Sequence, residues 1–250
     1  MIKSVMFDMG GTLEDIWVDA ESERACIEKL RDMLRGYGLE VPDDYDAFKK
    51  AVDDGWAAYG RYRDANGVEL KPIPIWRDYV LKSFHYDPAV LEPKCEEIAH
   101  MWEVTHYHRQ LRPRVREMLD HLKKAGLKLG VISNTAAMWQ VFDSLEAYGI
   151  RDYFQDVTLS SVTGLRKPGT DIFINSLREL QVEPQESVYV GDTVSRDISG
   201  SKRAGFAAAI QIRSRLTKEK DAEVDPSLRP DYVVDEIYDV WPVVKKLIGA

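Results

Sequence analysis

The stretch Phe7-Asp8-Met9-Gly10-Gly11-Thr12-Leu13 follows a short apolar run, Ile2–Phe7, near the beginning of this chain of 250 residues. The apolar run predicts a buried strand that ends immediately before Asp8. Open α/β sheets bind their ligands at the carboxyl ends of the strands, and glycines allow a backbone to approach a ligand closely. The stretch therefore puts a carboxylate where such a fold performs chemistry, although a strand-ending Asp before a Gly-Gly turn also occurs in ordinary loops.

Strand-like and helix-like patterns alternate over most of the chain. Strands are predicted at Ile2–Phe7, Leu127–Ser133, Asp156–Leu159, Ser187–Val190, Ala207–Ile212 and Tyr232–Val234. Helices are predicted between them, at Arg114–Lys124, Ala137–Tyr148, Thr170–Leu180 and Ser195–Ala204. Such alternation is typical of βαβ units and a parallel sheet. The sequence therefore predicts an α/β fold with a three-layer, Rossmann-like core.

One long segment interrupts the alternation. Residues 15–109 contain almost no strand signal, and they predict four helices, at Ala20–Arg35, Asp44–Arg63, Ile75–Phe84 and Pro88–His106. The simplest interpretation is an all-helical domain inserted after the first strand. The predicted core then consists of residues 1–14 and 110–250, and residues 15–109 form a cap.

The composition excludes several classes of protein. The chain carries 34 Lys and Arg against 42 Asp and Glu, and a formal net charge of −8 argues against binding to nucleic acid or an anionic membrane. Cys26 and Cys95 form neither a CxxC pair nor a disulfide framework. We find no signal peptide and no apolar stretch long enough to cross a bilayer. We therefore expect a cytoplasmic protein, and no sequence feature sets its oligomeric state. The charged segment Arg213–Asp221 predicts a solvated surface loop.

Polar residues that could bind a ligand also lie at the end of a second predicted strand and shortly before a predicted helix. Ser133 and Asn134 end an apolar strand, where a hydroxyl and backbone amides can hold a phosphoryl oxygen. Lys167 precedes Pro168, which restricts the lysine backbone to extended shapes and fixes where its side chain departs. Both features also have ordinary explanations, a turn and a solvated lysine respectively.

Two carboxylates follow another strand. Asp192 ends the strand Ser187–Val190, and Asp197 lies five residues further along, near the start of a helix. Oxygen ligands at such a position suit Mg²⁺, although Asp197 is also in a place where it could serve only the helix N-terminus.

The order of these motifs resembles that of the haloacid dehalogenase superfamily of hydrolases, subfamily I, with a C1-type cap. The resemblance covers the whole chain, and it rests on the strand-ending Asp8, Ser133, the Lys167-Pro168 pair and the segment Gly191-Asp192-x₄-Asp197. The resemblance implies a Mg²⁺-dependent phosphatase that acts on a small phosphorylated molecule.

The resemblance also implies roles for single residues. Asp8 is expected to attack phosphorus and form an aspartyl-phosphate, while Lys167 balances the charge around it. The implied Mg²⁺ ligands are Asp8, the backbone carbonyl of Gly10 and Asp192, with Asp197 as a further ligand or as a support to one. The implied phosphate site consists of Ser133, the amide of Asn134, Gly11 and Thr12.

The chain departs from the family pattern at Gly10. Phosphatases of this family usually carry Asp two residues after the nucleophile, and this Asp protonates the leaving oxygen and later activates water. A positioned acid or base contributes ~10²–10⁴-fold to a rate, so Gly10 predicts slow hydrolysis of ordinary phosphoesters. Three explanations stay open: a good leaving group, a proton supplied by the substrate, or one supplied by the cap. The cap candidates are His85, His106, His108, Tyr59 and Tyr62.

Other functions fit the same departure. One alternative is a binding or regulatory protein with weakened chemistry. Another is a phosphonate-cleaving hydrolase with a Schiff-base lysine in the cap, for which Lys29, Lys49 and Lys50 are candidates, although exposed helix lysines are the commoner explanation. The dehalogenase branch also lacks the acid but needs no metal, so the segment from Asp192 to Asp197 argues against it. Trp56, Tyr59 and Arg63 share a helix face, which is more often bundle core than cleft. His100, His106 and His108 do not have the spacing of a zinc site on one helix face.

Overall fold

The computed structural model describes residues 1–215, 217, 221 and 229–249. Six parallel strands form the main sheet in the order β5-β4-β1-β6-β7-β8. Their bounds are β1 Ser4–Phe7, β4 Lys128–Ser133, β5 Asp156–Leu159, β6 Ser187–Gly191, β7 Ala208–Ile212 and β8 Tyr232–Val234. All six predicted strands are present, and the predicted Rossmann-like α/β class is confirmed.

Helices cover both faces of the sheet. They are α6 Val115–Lys124, α7 Gln140–Ala147, α8 Ser160–Thr163, α9 Thr170–Leu180, α10 Ser199–Arg203 and α11 Val240–Ile248. Alternate residues of β1 point to opposite faces, because side chains alternate along a strand. Val5 and Phe7 pack in a cluster with residues of α6 and α11, whereas Met6 packs in a second cluster with residues of α9. Two hydrophobic cores, one on each face, therefore fix the central strand.

The inserted segment has a hydrophobic core of its own. Its helices are α1 Ala20–Gly36, α2 Tyr45–Asn66, α3 Pro72–Ile75, α4 Pro88–Leu91 and α5 Cys95–His106. Fully buried aromatic side chains of this core include Phe48, Tyr59 and Trp76. Asp19 caps α1 and Asp44 caps α2 by accepting backbone N–H bonds at the helix start.

Two predicted cap helices are in fact composite. The predicted helix Pro88–His106 contains the 3₁₀ turn Glu92–Lys94 between α4 and α5, since a proline at 93 cannot donate a helical hydrogen bond. The predicted helix Ile75–Phe84 consists of a π-helical segment, Trp76–Val80, and a 3₁₀ turn, Lys82–Phe84. In the core, the predicted helix Ser195–Ala204 likewise begins as a π-helical segment, Val194–Ile198.

The sequence did not predict a two-stranded ribbon beneath the inserted segment. β2 Glu14–Trp17 pairs in antiparallel fashion with β3 His108–Leu111. Each strand has only four residues and charged side chains, so neither shows an apolar alternation, and each depends on the other. The proposed boundaries at 14/15 and 109/110 pass through this ribbon, and the division into core and cap stays a prediction.

No helix in the described part of the chain has the length and apolar character required to cross a membrane.

Candidate active site

The carboxyl ends of β1, β4 and β6 bring the strand-end side chains together. Phe7 pairs with Val131 of β4 and Val190 of β6, so the three strands end at nearly the same level. Asp8, Ser133 and Asp192 consequently line one cavity of about 840 Å³. Lys167 and Asp197 line it as well. The residues come from distant parts of the chain because neighbouring parallel strands are joined by long crossovers.

Lys167 is the centre of a buried polar network. Its side chain is 2% exposed, and its Nζ donates to Oδ1 of Asp8 at 2.7 Å and to Oδ1 of Asp197 at 2.7 Å. Nζ also lies 3.0 Å from the carbonyl oxygen of Ile132 and 3.1 Å from the hydroxyl of Tyr189. Burial acts to lower the pKa of Lys167, but Asp197 and Asp8 outweigh it and raise the pKa. Lys167 is therefore an ammonium held against Asp8.

Asp197 uses both carboxylate oxygens within this network. Oδ1 accepts from Lys167 at 2.7 Å and from Tyr189 at 3.0 Å, while Oδ2 accepts from the amide of Thr193 at 3.1 Å and from its hydroxyl. Burial favours the neutral carboxyl, but Lys167 and Thr193 lower the pKa of Asp197 to about 2. The structure thus gives Asp197 a clear role in holding Lys167.

Three carboxylates offer a coherent set of oxygen donors. Asp8, Asp192 and Asp197 each present an oxygen within 4.8 Å of the others, and all three side chains are buried. One ammonium does not neutralise three carboxylates, and hard divalent cations prefer such oxygens. The donor set therefore fits Mg²⁺. Gly10, the predicted carbonyl ligand, lines the same cavity.

Asp192 is held by the segment that follows β7. Ser214 donates to Oδ2 of Asp192 at 2.7 Å, and Thr217 donates to its backbone carbonyl at 3.1 Å. The carboxylate of Asp221 accepts from the amides of Val194 at 2.7 Å and Ser195 at 2.9 Å. The predicted solvated loop over 213–221 is thus wrong for Ser214 and Thr217, which contact Asp192, and for Asp221, which binds the backbone of Val194 and Ser195. Residues 216 and 218–220 lie outside the described residues.

The predicted phosphate site is partly reorganised. Ser133 lines the cavity, as does Asn134. The side chain of Asn134 clamps the backbone of Lys167 on both sides, donating to its carbonyl at 2.9 Å and accepting from its amide at 3.0 Å. The lysine is therefore positioned at its backbone as well as at its ammonium.

Gly11 and Thr12 do not support the role expected of them. The amide of Gly11 donates to Glu14 at 2.8 Å, and that of Thr12 donates to Met9 at 3.1 Å. The side chain of Thr12 is fully buried, and within the described ranges neither residue belongs to the cavity wall. Both amides already donate hydrogen bonds within the turn, so neither is available to a phosphate.

The amides of Met9 and Gly10 are better placed. Both residues line the cavity, and neither amide donates to another group among the residues the structure describes. Backbone N–H groups at such a turn form a cradle for anions. The sequence signal for them is their position immediately after Asp8, where the resemblance implied a role only for the carbonyl of Gly10.

Only one of the five cap acid candidates lines the cavity in the part of the chain described, and it is His106. Its ring stacks on Trp102 with centroids 5.0 Å apart, and its Nδ1 is buried without a hydrogen-bond partner in the described structure. Burial lowers the pKa of His106, so the imidazole is neutral at pH 7. Tyr59 is fully buried and donates to Glu69.

Within the described residues, none of the cap candidates Lys29, Lys49 and Lys50 belongs to the cavity wall. Lys49 pairs with Asp53 at 2.7 Å and with Glu23 at 3.3 Å, and Lys50 pairs with Asp54 at 2.5 Å. Among the described residues, Lys167 is the one lysine of the cavity wall. A cap-lysine Schiff base therefore finds no support in the arrangement of side chains.

Three buried or partly buried ion pairs are not predicted by the sequence. Glu69 of the cap pairs with Arg166, the neighbour of Lys167, across 97 residues of chain. Arg109 of β3 joins Glu14 at 2.5 Å to Glu103 of α5 at 2.6 Å. The Glu69–Arg166 and Arg109–Glu103 pairs connect the helical segment to other parts of the chain, whereas the Arg109–Glu14 pair lies within the ribbon of β2 and β3. No local sequence pattern indicates any of the three.

Comparison with known proteins agrees with this geometry. A family described as Haloacid dehalogenase-like hydrolase matches residues 5–210. Glyceraldehyde 3-phosphate phosphatase of Methanopyrus kandleri is 31% identical over 255 residues, covering 99% of this chain and 99% of the relative. The enzyme of the same name from Methanothermobacter thermautotrophicus is 35% identical over 244 residues, covering 95% of this chain and 97% of its own.

A solved structure shows the same fold. A 2-haloacid dehalogenase from Pseudomonas syringae pv. tomato superposes with a TM-score of 0.70 at 25% identity, covering 99% of this chain and 100% of that chain. The family match covers most of the chain and the phosphatases match over nearly their full length. The protein is therefore a hydrolase of phosphatase type, and it belongs to the haloacid dehalogenase-like hydrolase family.

Proposed function

We propose that the chain is a Mg²⁺-dependent phosphatase that transfers the phosphoryl group of a small molecule to Asp8 and then to water. The observation that carries the proposal is the position of the Lys167 ammonium, 2.7 Å from Asp8 at a cavity that also contains Asp192. A carboxylate and a phosphate dianion repel each other, so a nucleophilic Asp needs fixed positive charge beside it.

The first step forms one bond and breaks one. A carboxylate oxygen of Asp8, whose charge the ammonium of Lys167 balances at Oδ1, attacks phosphorus. The O–P bond to Asp8 forms as the ester P–O bond breaks, and the leaving oxygen departs with the bonding electrons. The amides of Met9 and Gly10, the hydroxyl of Ser133 and the amide of Asn134 are placed to bind the phosphoryl oxygens.

Asp8, the carbonyl of Gly10 and Asp192 would hold Mg²⁺. Bound there, the ion supplies electrostatic stabilisation to the charge of the transferring phosphoryl group. Because Asp197 already accepts four hydrogen bonds, we assign it to holding Lys167 in place.

The second step returns Asp8 to its starting state. Water attacks the phosphorus of the aspartyl-phosphate, the O–P bond to Asp8 breaks, and the proton of the water passes to a base. Glycine at position 10 supplies no such base. His106 is neutral and lines the cavity, so we assign it the role of this base.

The absent side chain at position 10 also limits the substrates. Without an acid beside the leaving oxygen, the alkoxide of an alkyl phosphate departs slowly. The carboxylate of an acyl phosphate and the phenolate of an aryl phosphate are stable anions, so they depart without a proton. We therefore expect turnover to rise steeply as the pKa of the leaving group falls.

Gly10 also favours a second candidate, a binding protein built on the hydrolase fold. Such a protein would bind phosphorylated molecules and Mg²⁺ at the same residues without turning them over. The two functions differ in a single measurement, the release of phosphate.

The test measures phosphate release from acetyl phosphate and p-nitrophenyl phosphate, with Mg²⁺ and with chelator. We expect turnover that requires the metal and is abolished in Asp8→Asn, while the control Asp32→Asn, at an exposed carboxylate, keeps full activity. Persistent activity in Asp8→Asn would remove the nucleophile assignment. Metal binding without release from any phosphorylated compound would establish the binding protein, and chloride release from 2-chloropropionate would establish a dehalogenase.

A further inference from the structure

Among the described residues, five arginines line the cavity. Arg109 is paired with Glu14 and Glu103, and Arg215 lies over the ring of Trp17. The other three are Arg63 near the end of helix α2, Arg166 beside Lys167, and Arg196 in the π-helical segment Val194–Ile198. None of them is needed to balance Asp8, which Lys167 already contacts. They constitute a second concentration of positive charge in the same cavity, which we name the arginine cluster.

Arg166 is the buried member of the cluster. It is 8% exposed, and its Nη1 donates to Oε2 of Glu69. Glu69 is fully engaged, because it also accepts from the hydroxyls of Tyr59 and Ser160. This buried ion pair holds Arg166 in place and links the inserted helical segment to the segment beside Lys167.

Arg63 and Arg196 lack a comparable buried partner. The guanidinium of Arg63 lies over the ring of Tyr59, 5.7 Å from its centroid, and its carboxylate contact is to Asp64 at 3.3 Å, whose side chain is 70% exposed. Arg196 forms no ion pair with a carboxylate of the residues that the structure describes. Burial lowers the pKa of Arg166, while the charge of Glu69 acts to raise it. The positive charges of Arg63 and Arg196 lower the pKa further. All three residues line the same cavity.

We propose that the arginine cluster binds a second anionic group of the substrate, a carboxylate or a second phosphate, while the transferring phosphoryl group lies at Asp8. Guanidinium groups recognise both anions through paired N–H donors. Arg63 comes from the cap and Arg196 from the core, so an anion between them also draws the cap onto the sheet. This inference rests on the proposed function and narrows its substrate class to phosphorylated molecules with two acidic groups.

The test measures binding of non-hydrolysable phosphonates by calorimetry at a fixed Mg²⁺ concentration. The probes are phosphonoacetate, with a carboxylate, methylenediphosphonate, with a second phosphonate, and propylphosphonate, with an apolar end. We expect at least one of the two doubly acidic probes to bind about 10-fold or more tightly than propylphosphonate, the gain typical of a hydrogen bond to a charged group. The probe that binds more tightly than propylphosphonate shows whether the second acidic group of the substrate is a carboxylate or a phosphate.

The variants Arg196→Gln and Arg63→Gln locate the effect. Each should reduce the preference about 10-fold and leave propylphosphonate binding unchanged. Arg24→Gln is the matched control, since it removes an exposed cap arginine that pairs with Glu28 outside the cavity. Arg63 is 29% exposed at the end of a helix, so its variant tests the inference even if Arg196→Gln fails to fold.

Equal binding of all three probes to the unmodified protein would overturn the inference, and so would a preference that survives both substitutions. Neither result bears on turnover, which the Asp8→Asn assay measures separately. Conversely, a protein that releases no phosphate but prefers a doubly acidic probe retains the arginine cluster and loses the proposed catalysis.

Discussion

The carboxylate of Asp192 packs against the α-carbon of Gly11, on the side from which a side chain would project. Gly11 also has a φ of +92°, a conformation that side chains disfavour. The glycine is therefore required twice, once by the turn after Asp8 and once by the proposed metal ligand. This contact explains why a residue outside the cavity wall still determines the site.

Gly11→Ala should displace Asp192 and weaken Mg²⁺ binding by at least about 10-fold, a change on the scale of a displaced hydrogen-bonded charge. Calorimetric titration with Mg²⁺ measures the effect. Gly38→Ala is the matched control, because Gly38 has a φ of +77° but open space where a β-carbon would lie. It should lose about 1 kcal/mol of stability without any change in metal binding. Equal metal affinity in the two variants would contradict the steric role of Gly11.

Asp197→Asn should lower the free energy of unfolding at pH 7 by about 3 kcal/mol, because it removes one partner of the buried Lys167 ion pair. Urea denaturation measures this loss, and Asp32→Asn at an exposed position should change little.

The same pair predicts a pH dependence. The pKa of Asp197 is about 2 in the folded protein, below the value of about 3.9 for an unfolded chain. The stabilisation from its ionised form is therefore complete above about pH 4 and is lost as the pH falls towards 2. The difference in unfolding free energy between the original protein and Asp197→Asn should shrink over this range. A constant difference from pH 7 to pH 2 would show that the ion pair is not its source.

Gly10→Asp should accelerate hydrolysis of alkyl phosphates, because it restores an acid beside the leaving oxygen. A gain of ~10²-fold in kcat lies at the lower end for a positioned acid. A β-carbon at position 10 would lie 3.1 Å from Cδ1 of Ile16, so we expect the double variant with Ile16→Val to gain more. p-Nitrophenyl phosphate, whose leaving group needs no proton, should gain little.

Gly10→Asn is the control for this substitution, since it has the same shape and no acidic proton. If Asn and Asp at position 10 give the same rates with alkyl phosphates, the change acts through shape and the acid is not what the site lacks.

His106→Gln should slow breakdown of the aspartyl-phosphate more than its formation. Rapid-mixing assays with p-nitrophenyl phosphate should then show a burst of nitrophenol followed by a slow steady rate. Since burial lowers the pKa of His106 below 6.5, the base is active above that pKa, and the acidic limb of kcat should lie below pH 6.5 in the original protein. The limb should disappear in His106→Gln. His108→Gln is the control, since His108 is not among the described residues of the cavity wall. Unchanged kcat and an unchanged acidic limb would exclude His106.

The sequence predicted the parallel sheet well for a local reason. Each core strand is an apolar run bounded by a turn. The strands Asp156–Leu159 and Tyr232–Val234 have the predicted bounds, and so does the helix Thr170–Leu180. The family assignment and the hydrolase class are confirmed, while the roles of Asp8, Ser133, Lys167 and Asp192 stay predictions that the geometry supports. The ribbon of β2 and β3 was missed because each strand is stabilised by its partner rather than by its own pattern.

By itself, the sequence determined the order of strands and helices and the chemical types that end the strands, because both depend on residues adjacent in the chain. Only the tertiary structure decided what each of these groups touches. In the folded protein, Asp197 binds Lys167 and Glu69 binds Arg166. The amides of Gly11 and Thr12 donate to backbone carbonyls of their own turn. Such contacts depend on distances between segments far apart in sequence, and packing of the two faces of the sheet sets those distances.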